Sequence, residues 1–275
     1  LGDVYKRQEH MDRLVEIFNV CWPMYAAMPA VLKNAVEKSY VDCGWDIVKS
    51  ENKYGEELYP SFADVARNVK EIIDSSEYDA ENKGAYKGSL LTRLQSLCNG
   101  INGMIFVADE IPKEQLFEEN VIVDLSRVGS SETKSLIMGM MVLKLQEYRM
   151  SSATGMNAEL NHITVLEEAH NLLRRTSNEQ SAEGSNLLGK SVEMLSNAIA
   201  EMRTYGEGFI IADQAPGLMD MSVIRNTNTK IILRLPDQAD RELVGRAANL
   251  NEDQITELAK LPCGVAEVYQ NEWIQ

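Results

Sequence analysis

The stretch Ile163-Thr164-Val165-Leu166-Glu167-Glu168-Ala169-His170 passes from apolar β character to paired acid within two residues. Its first four positions, β-branched or apolar, predict a strand, and Asn171-Leu172-Leu173-Arg174-Arg175 behind them has helical character. A fully apolar strand belongs in a parallel sheet covered on both faces, and ligands of such sheets bind beyond the carboxyl ends of the strands. Glu167 and Glu168 therefore fall where a ligand is expected. One carboxylate there can hold Mg2+, directly or through water, while its neighbour orients and deprotonates a water attacking a γ-phosphate. This is the logic of a Walker B strand. The same letters also suit an acid pair that merely opens a helix, where negative charge is favourable.

A chain of 275 residues, 44% apolar and 25% charged, has the make-up of a soluble globular protein with one large core or two small ones. No apolar run approaches the roughly 18 residues of a membrane span and no signal peptide opens the chain, so a cytoplasmic location is expected. Cys21, Cys43, Cys98 and Cys263 form no C-x-x-C pair, and His10, His162 and His170 complete no metal set, so all four are expected to be reduced core thiols. The net charge of −15 repels nucleic acid. Any such binding must come from a local basic feature or from the lumen of a ring.

The chain opens on Leu1 with no methionine before Met11, and residues 1–8 share no periodicity with the segment beyond them. They read as a non-native scar set aside from the fold, with native sequence expected before His10. Residues 9–102 predict a helical subdomain. Leu14, Val15 and Phe18, then Val31 and Ala35, recur at helical spacing on either side of Pro23 and Pro29. A polar loop spans 48–60, Ser61 caps a helix with the stripe Val65, Val69, Ile72, Ile73, and a further helix around Leu90, Leu94 and Leu97 ends at Asn99-Gly100.

Residues 103–275 alternate strand and helix, the pattern of a parallel, doubly covered sheet. Met104 to Val107 is a short strand candidate and Val121 to Asp124 a clear one. Residues 131–149 predict a helix apolar on most sides and so deeply buried. Leu188, Val192, Leu195, Ile199 and Met202 fall at steps of four and three along another. Gly208 to Gln214, Lys230 to Leu235 and Gly264 to Tyr269 are the remaining strands, with helices expected at 237–248 and 252–259.

Two stretches imitate a phosphate-binding loop. Gly184 to Ser191 fits G-x-x-x-x-G-K-[ST] by letter, yet no strand precedes it and Leu187-Leu188 already begin the stripe of the helix bearing Lys190. Ser126 to Ser135 follows the strand candidate at Val121 but lacks the second glycine and puts Glu132 where an anion would sit. It reads as a helix start capped by Ser130 or Ser131. The phosphate loop itself is expected before residue 9.

Gln214 at the carboxyl end of a neighbouring strand is placed to meet a γ-phosphate or the attacking water, or else is a turn glutamine ahead of Pro216. Arg203, at the end of the preceding helix, is either an arginine finger for a neighbouring subunit or a helix cap. Arg234, between Leu233 and Leu235, needs a partner if it points from an apolar strand.

The ordered set Val165-Leu166-Glu167-Glu168-Ala169-His170, Glu201-Met202-Arg203-Thr204-Tyr205-Gly206, Ile210-Ile211-Ala212-Asp213-Gln214-Ala215-Pro216 and Asn228-Thr229-Lys230-Ile231-Ile232-Leu233-Arg234-Leu235 resembles the carboxyl half of HerA/FtsK-superfamily ATPases over residues 104–270. The family pair is usually Asp-Glu, against Glu167-Glu168 here. The resemblance implies an α/β, RecA-like, mostly parallel sheet covered by helices, with ATP and Mg2+ as cofactors. It puts Glu167 on the Mg2+ side, Glu168 as catalytic base, Gln214 as γ-phosphate sensor and Arg203 as trans finger, with Arg234 a further catalytic candidate. It further implies a hexameric ring moving DNA through its lumen, with a nuclease as a candidate partner. A conjugation- or secretion-type ATPase moving protein or protein–DNA is the alternative within this fold. A non-hydrolysing structural or regulatory subunit is the alternative outside enzymes.

Overall fold

The computed structural model describes residues 4–22, 24–55, 58–107, 110–153, 155, 157–175 and 187–271. The chain divides into two compact units, Leu1–Val121 and Ile122–Gln275.

The first unit is helical. Helix α1 (Val4–Cys21) takes in part of the segment set aside as a scar, and its Arg7 guanidinium lies 3.7 Å from the centre of the Trp45 ring. Helix α2 (Met28–Asp42) carries Pro29 in its first turn, where a missing N–H costs nothing. Pro23 lies outside the described residues. Strands β1 (Trp45–Asp46) and β2 (Glu51–Asn52) make a small antiparallel hairpin, of which β2 falls in the stretch 48–60 expected as loop. Helix α3 (Phe62–Ser75) starts at Ser61, which exchanges hydrogen bonds with Asp64 in a capping box, and it buries Val65, Val69 and Ile73. Helices α4 (Ala80–Tyr86) and α5 (Thr92–Leu97), joined by one wide turn, bury Leu90, Leu94 and Leu97 in the same core as Phe18, Met28 and Leu32.

Helix α6 (Asn102–Ile105) replaces the strand expected at Met104 to Val107. Local hydrogen bonds, Ile105 N to Ile101 O at 3.2 Å and Phe106 N to Asn102 O at 2.9 Å, satisfy this backbone, and no strand pairs with it among the described residues. Helix α7 (Lys113–Phe117) follows. The segment Val121 to Asp124 is the second correction, because it enters no ladder among the described residues and Ile122 is 94% exposed. An extended segment becomes a strand only when a neighbour takes its N–H and C=O groups.

Helix α8 (Ser131–Ser152) opens the ordered core of the second unit, with Ser130 accepting from the Thr133 amide at 3.4 Å. It buries Leu136, Ile137, Val142, Leu143 and Leu145, whereas Met140 and Met141 are only half-buried. Strand β3 (His162–Glu167), helix α9 (Leu187–Glu201) and strand β4 (Glu207–Ala212) make a parallel unit in which Glu167 lies opposite Ala212. The Ser135 hydroxyl of α8 donates to the Asn171 carbonyl and Arg149 Nε donates to Glu207 at 2.9 Å, so α8 is tied to both ends of this pair. The expectation of a doubly covered sheet is corrected on one face. Ile163, Val165 and Ile210 are 48%, 54% and 52% exposed, while Leu166 on the other face is buried.

Helix α10 (Met221–Asn226), strand β5 (Thr229–Ile232), helices α11 (Gln238–Ala247) and α12 (Glu252–Glu257) and strand β6 (Glu267–Gln270) complete the unit. Strands β5 and β6 pair antiparallel, not as members of a parallel sheet. Ile232, Ala248 and Leu258 make their core, with Leu235, Val244 and Tyr269 packed against it.

Candidate nucleotide site

The β3/β4 register puts Glu168 and Asp213 one step beyond the last ladder pair, and Gln214 one step further, at the carboxyl edge. Adjacent strands run about 4.8 Å apart, so the two strand ends are immediate neighbours. Glu167, Glu168 and Gln214 are all exposed there.

Glu168 departs from ordinary backbone geometry, with φ 49° and ψ 47°. A left-handed conformation costs a non-glycine residue about 1–2 kcal/mol and persists only where the surroundings impose it. The imposing contacts are identifiable. Ala169 to Asn171 form a tight turn closed by the Asn171 amide donating to the Glu168 carbonyl at 2.9 Å. Asn171 Nδ2 donates to that carbonyl at 3.0 Å and to Glu168 Oε2 at 3.4 Å. Leu172 and Leu173, both fully buried, anchor the chain beneath. The left-handed step takes Glu168 out of strand alternation, so two consecutive carboxylates serve one edge.

Asp213 joins this turn to the one after β4. Its Oδ2 accepts the His170 amide at 2.9 Å and engages His170 Nδ1 at 2.8 Å, while Oδ1 accepts the Ala215 amide at 2.9 Å. Its side chain is 2% exposed. Further out, the Arg175 amide donates to the Leu218 carbonyl at 2.6 Å and the Gly217 amide to Asp240 at 2.8 Å. The sequence reading assigned no role to Asp213 or His170. Their place beside Gln214 and Glu168 in the two motifs was the available signal.

Arg203 does not join this edge. It sits in the 3-10 turn Met202–Tyr205 ahead of β4, and the six residues of that strand, at about 3.3 Å each, separate it from Gln214. Its side chain is exposed and makes no hydrogen bond or ion pair among the described residues, so it caps no carbonyl there. The turn ends at Gly206, whose φ of 82° and close approach to the Glu159 carbonyl leave no room for a Cβ. Arg234 lies past the end of β5 and is exposed, which removes the expectation of a buried arginine seeking a partner. Among the described residues no hydrogen bond or ion pair links it to Glu168 or Gln214.

At the opposite, amino end of the strands lies a buried cluster that the sequence reading missed. Glu207, 1% exposed, takes hydrogen bonds from Arg149 at 2.9 Å and Thr164 Oγ1 at 2.7 Å and contacts His162 Nδ1 at 2.8 Å. Lys190 lies in the first turn of α9 and is exposed, while residues 176–186, Gly184 among them, lie outside the described residues. Cys21, Cys43, Cys98 and Cys263 are free thiols, but the expectation that all four lie in the core is corrected, since only Cys21 is buried while Cys98 and Cys263 are exposed.

No protein-family model matches the sequence. The DNA double-strand break repair helicase HerA of Sulfurisphaera tokodaii is 24% identical over 241 residues, 85% of this chain and 45% of that protein. A protein named as a probable HerA helicase of the same kind, from Methanocaldococcus jannaschii, is 34% identical over 107 residues, 38% of this chain and 19% of its own length. The structure of VirB4 of Thermoanaerobacter pseudethanolicus superposes with a TM-score of 0.66 at 16% identity, covering 97% of this chain and 67% of the other. These HerA relatives support the resemblance to P-loop ATPases of the HerA/FtsK type. The chain spans less than half the length of the curated HerA relatives it matches. The likeness to VirB4 shows a shared mixed α/β fold, of which the described residues contribute a parallel pair and an antiparallel pair rather than one broad sheet.

ATP hydrolysis by P-loop ATPases uses Mg2+ held between protein carboxylates and phosphate oxygens. Among the described residues no three His, Cys, Asp or Glu side chains gather as a metal cage. Two exposed carboxylates fit Mg2+ nonetheless, because that ion takes one or two carboxylates and fills its octahedron with water and phosphate oxygens.

Proposed function

We propose that the protein containing this chain is a motor ATPase that couples ATP hydrolysis to movement of DNA. The observation that carries this reading is Glu168, held left-handed at the carboxyl edge of a parallel pair and tied through His170 and Asp213 to the turn bearing Gln214. Strain of this kind at an exposed acid is what a site imposes to aim a reacting group.

In this reading Glu167 serves Mg2+, which when bound would neutralise charge on the β- and γ-phosphates. Glu168 accepts a proton from the attacking water as its oxygen bonds to the γ-phosphorus and the bond to the bridging oxygen breaks, leaving ADP and phosphate. Gln214 orients that water or senses the γ-phosphate. Arg203, on the far rim, serves the nucleotide of a neighbouring subunit in a hexameric ring, and Arg234 remains a second arginine candidate for an interface. DNA would pass through the lumen, because the net charge of −15 leaves the outer surface unsuited to it. No helix among the described residues is long and apolar enough to cross a membrane.

ATP turnover by the full-length polypeptide, with and without double-stranded DNA, tests the proposal. DNA-stimulated hydrolysis that disappears in Glu168→Gln supports it; hydrolysis retained in that variant removes Glu168 as base. The acidic charge favours a second reading, a motor that moves protein, and turnover indifferent to DNA would support that one.

A further inference from the structure

Resting on that reading of the site, we propose that His170 and Asp213 are a positioning pair that locks the Glu168 turn and the Gln214 turn into one unit, so that base and sensor shift together.

The two turns follow different strands and are 43 residues apart in sequence, yet a single carboxylate holds both. Asp213 spends Oδ2 on the amide and Nδ1 of His170 and Oδ1 on the amide of Ala215. Every contact is to a residue within two positions of Glu168 or within one of Gln214. Burial sharpens the point, because a carboxylate 2% exposed is costly to desolvate and apolar packing would close the fold at least as well. A carboxylate offers two acceptor oxygens on opposite sides, which no apolar group supplies. Asp213 does not reach toward solvent, so it positions Glu168 and Gln214 rather than touching substrate itself. Glu168 in turn needs such over-determination, since its left-handed backbone relaxes once its surroundings loosen. Ser135 and Asn171 support one side of the turn; the His170–Asp213 contact supports the other.

The chemistry dictates the variants. Asparagine places its side-chain amide nitrogen where histidine places Nδ1, so His170→Asn keeps a donor toward Asp213 and His170→Ala does not. Asp213→Asn keeps the volume but turns one acceptor into a donor, releasing one of the two turns. In the full-length protein His170→Ala and Asp213→Asn should lower kcat about 10- to 100-fold with nucleotide affinity within about twofold of wild type, and His170→Asn should recover most of the loss. Hydrogen exchange at the amides of 169–171 and 215 should quicken about tenfold in His170→Ala and not in His170→Asn, with melting temperatures within about 2 °C. Equal kcat in all forms, or affinity, melting temperature and kcat falling together without rescue by asparagine, would overturn the pairing. A wild-type protein without ATP turnover would remove the functional reading instead, and the exchange rates would still decide whether the two turns are tied.

Discussion

Arg149 Nε donates to Glu207 Oε2 at 2.9 Å with the two side chains 5% and 0% exposed, so the last turn of α8 and the first residue of β4 share one buried ion pair. Removing one partner of such a pair leaves the other charge stranded, which costs about 3–5 kcal/mol, whereas replacing both with apolar groups is often neutral. Glu207→Leu should therefore destabilise the second unit strongly in urea unfolding, and the double variant Arg149→Met/Glu207→Leu should recover much of the loss. A double variant as unstable as the single one would show that Thr164 and His162, which also bond Glu207, need the carboxylate as much as Arg149 does.

Glu168 offers a test in which stability and activity part. Glycine at this position removes about 1–2 kcal/mol of left-handed strain and restores roughly 0.5–1 kcal/mol of chain entropy to the unfolded state. Glu168→Gly should be as stable as wild type or slightly more so in chemical denaturation, and its ATP turnover should fall by about 10²- to 10⁴-fold as for loss of a general base. A clear loss of stability would mean that the side chain, through its contact with Asn171, matters more to the fold than its backbone strain.

The far-rim position of Arg203 predicts behaviour in mixtures. Subunits carrying Arg203→Ala and subunits carrying Glu168→Gln should each be inactive alone, and mixing them should restore part of the ATP turnover if Arg203 acts on a neighbour's nucleotide. Since its guanidinium makes no hydrogen bond among the described residues, Arg203→Ala should leave thermal stability within about 0.5 kcal/mol of wild type.

Lys190 provides the control. It stands in the first turn of α9 and is exposed. Lys190→Ala should leave nucleotide affinity, measured with a fluorescent ADP, within about twofold of wild type, and a large loss would revive the Gly184 to Ser191 stretch as a phosphate loop.

Local chemistry was enough for several features. The Ser61 and Ser130 caps, the buried apolar face of α8, the stripe of α9 and the strand running into Glu167-Glu168 each depend on residues within one or two turns of one another. The four ordered motifs also pointed to the superfamily. What escaped is non-local. Asp213 meets His170 across 43 residues, and Glu207 meets Arg149 across 58 and His162 across 45. Periodicity cannot say which of many acids will find which partner.

Sequence alone, then, determined helices α3, α8 and α9, the Ser61 and Ser130 caps and the acid-tipped strand, because these obey short-range periods and hydrogen bonds that close within a turn. Tertiary structure decided whether an extended segment becomes a strand, since Val121 to Asp124 has β character but meets no pairing neighbour among the described residues, and Thr229–Ile232 found an antiparallel one. It also decided the posture of Glu168. The left-handed turn costs energy locally and is held in place by contacts that only the assembled second unit supplies.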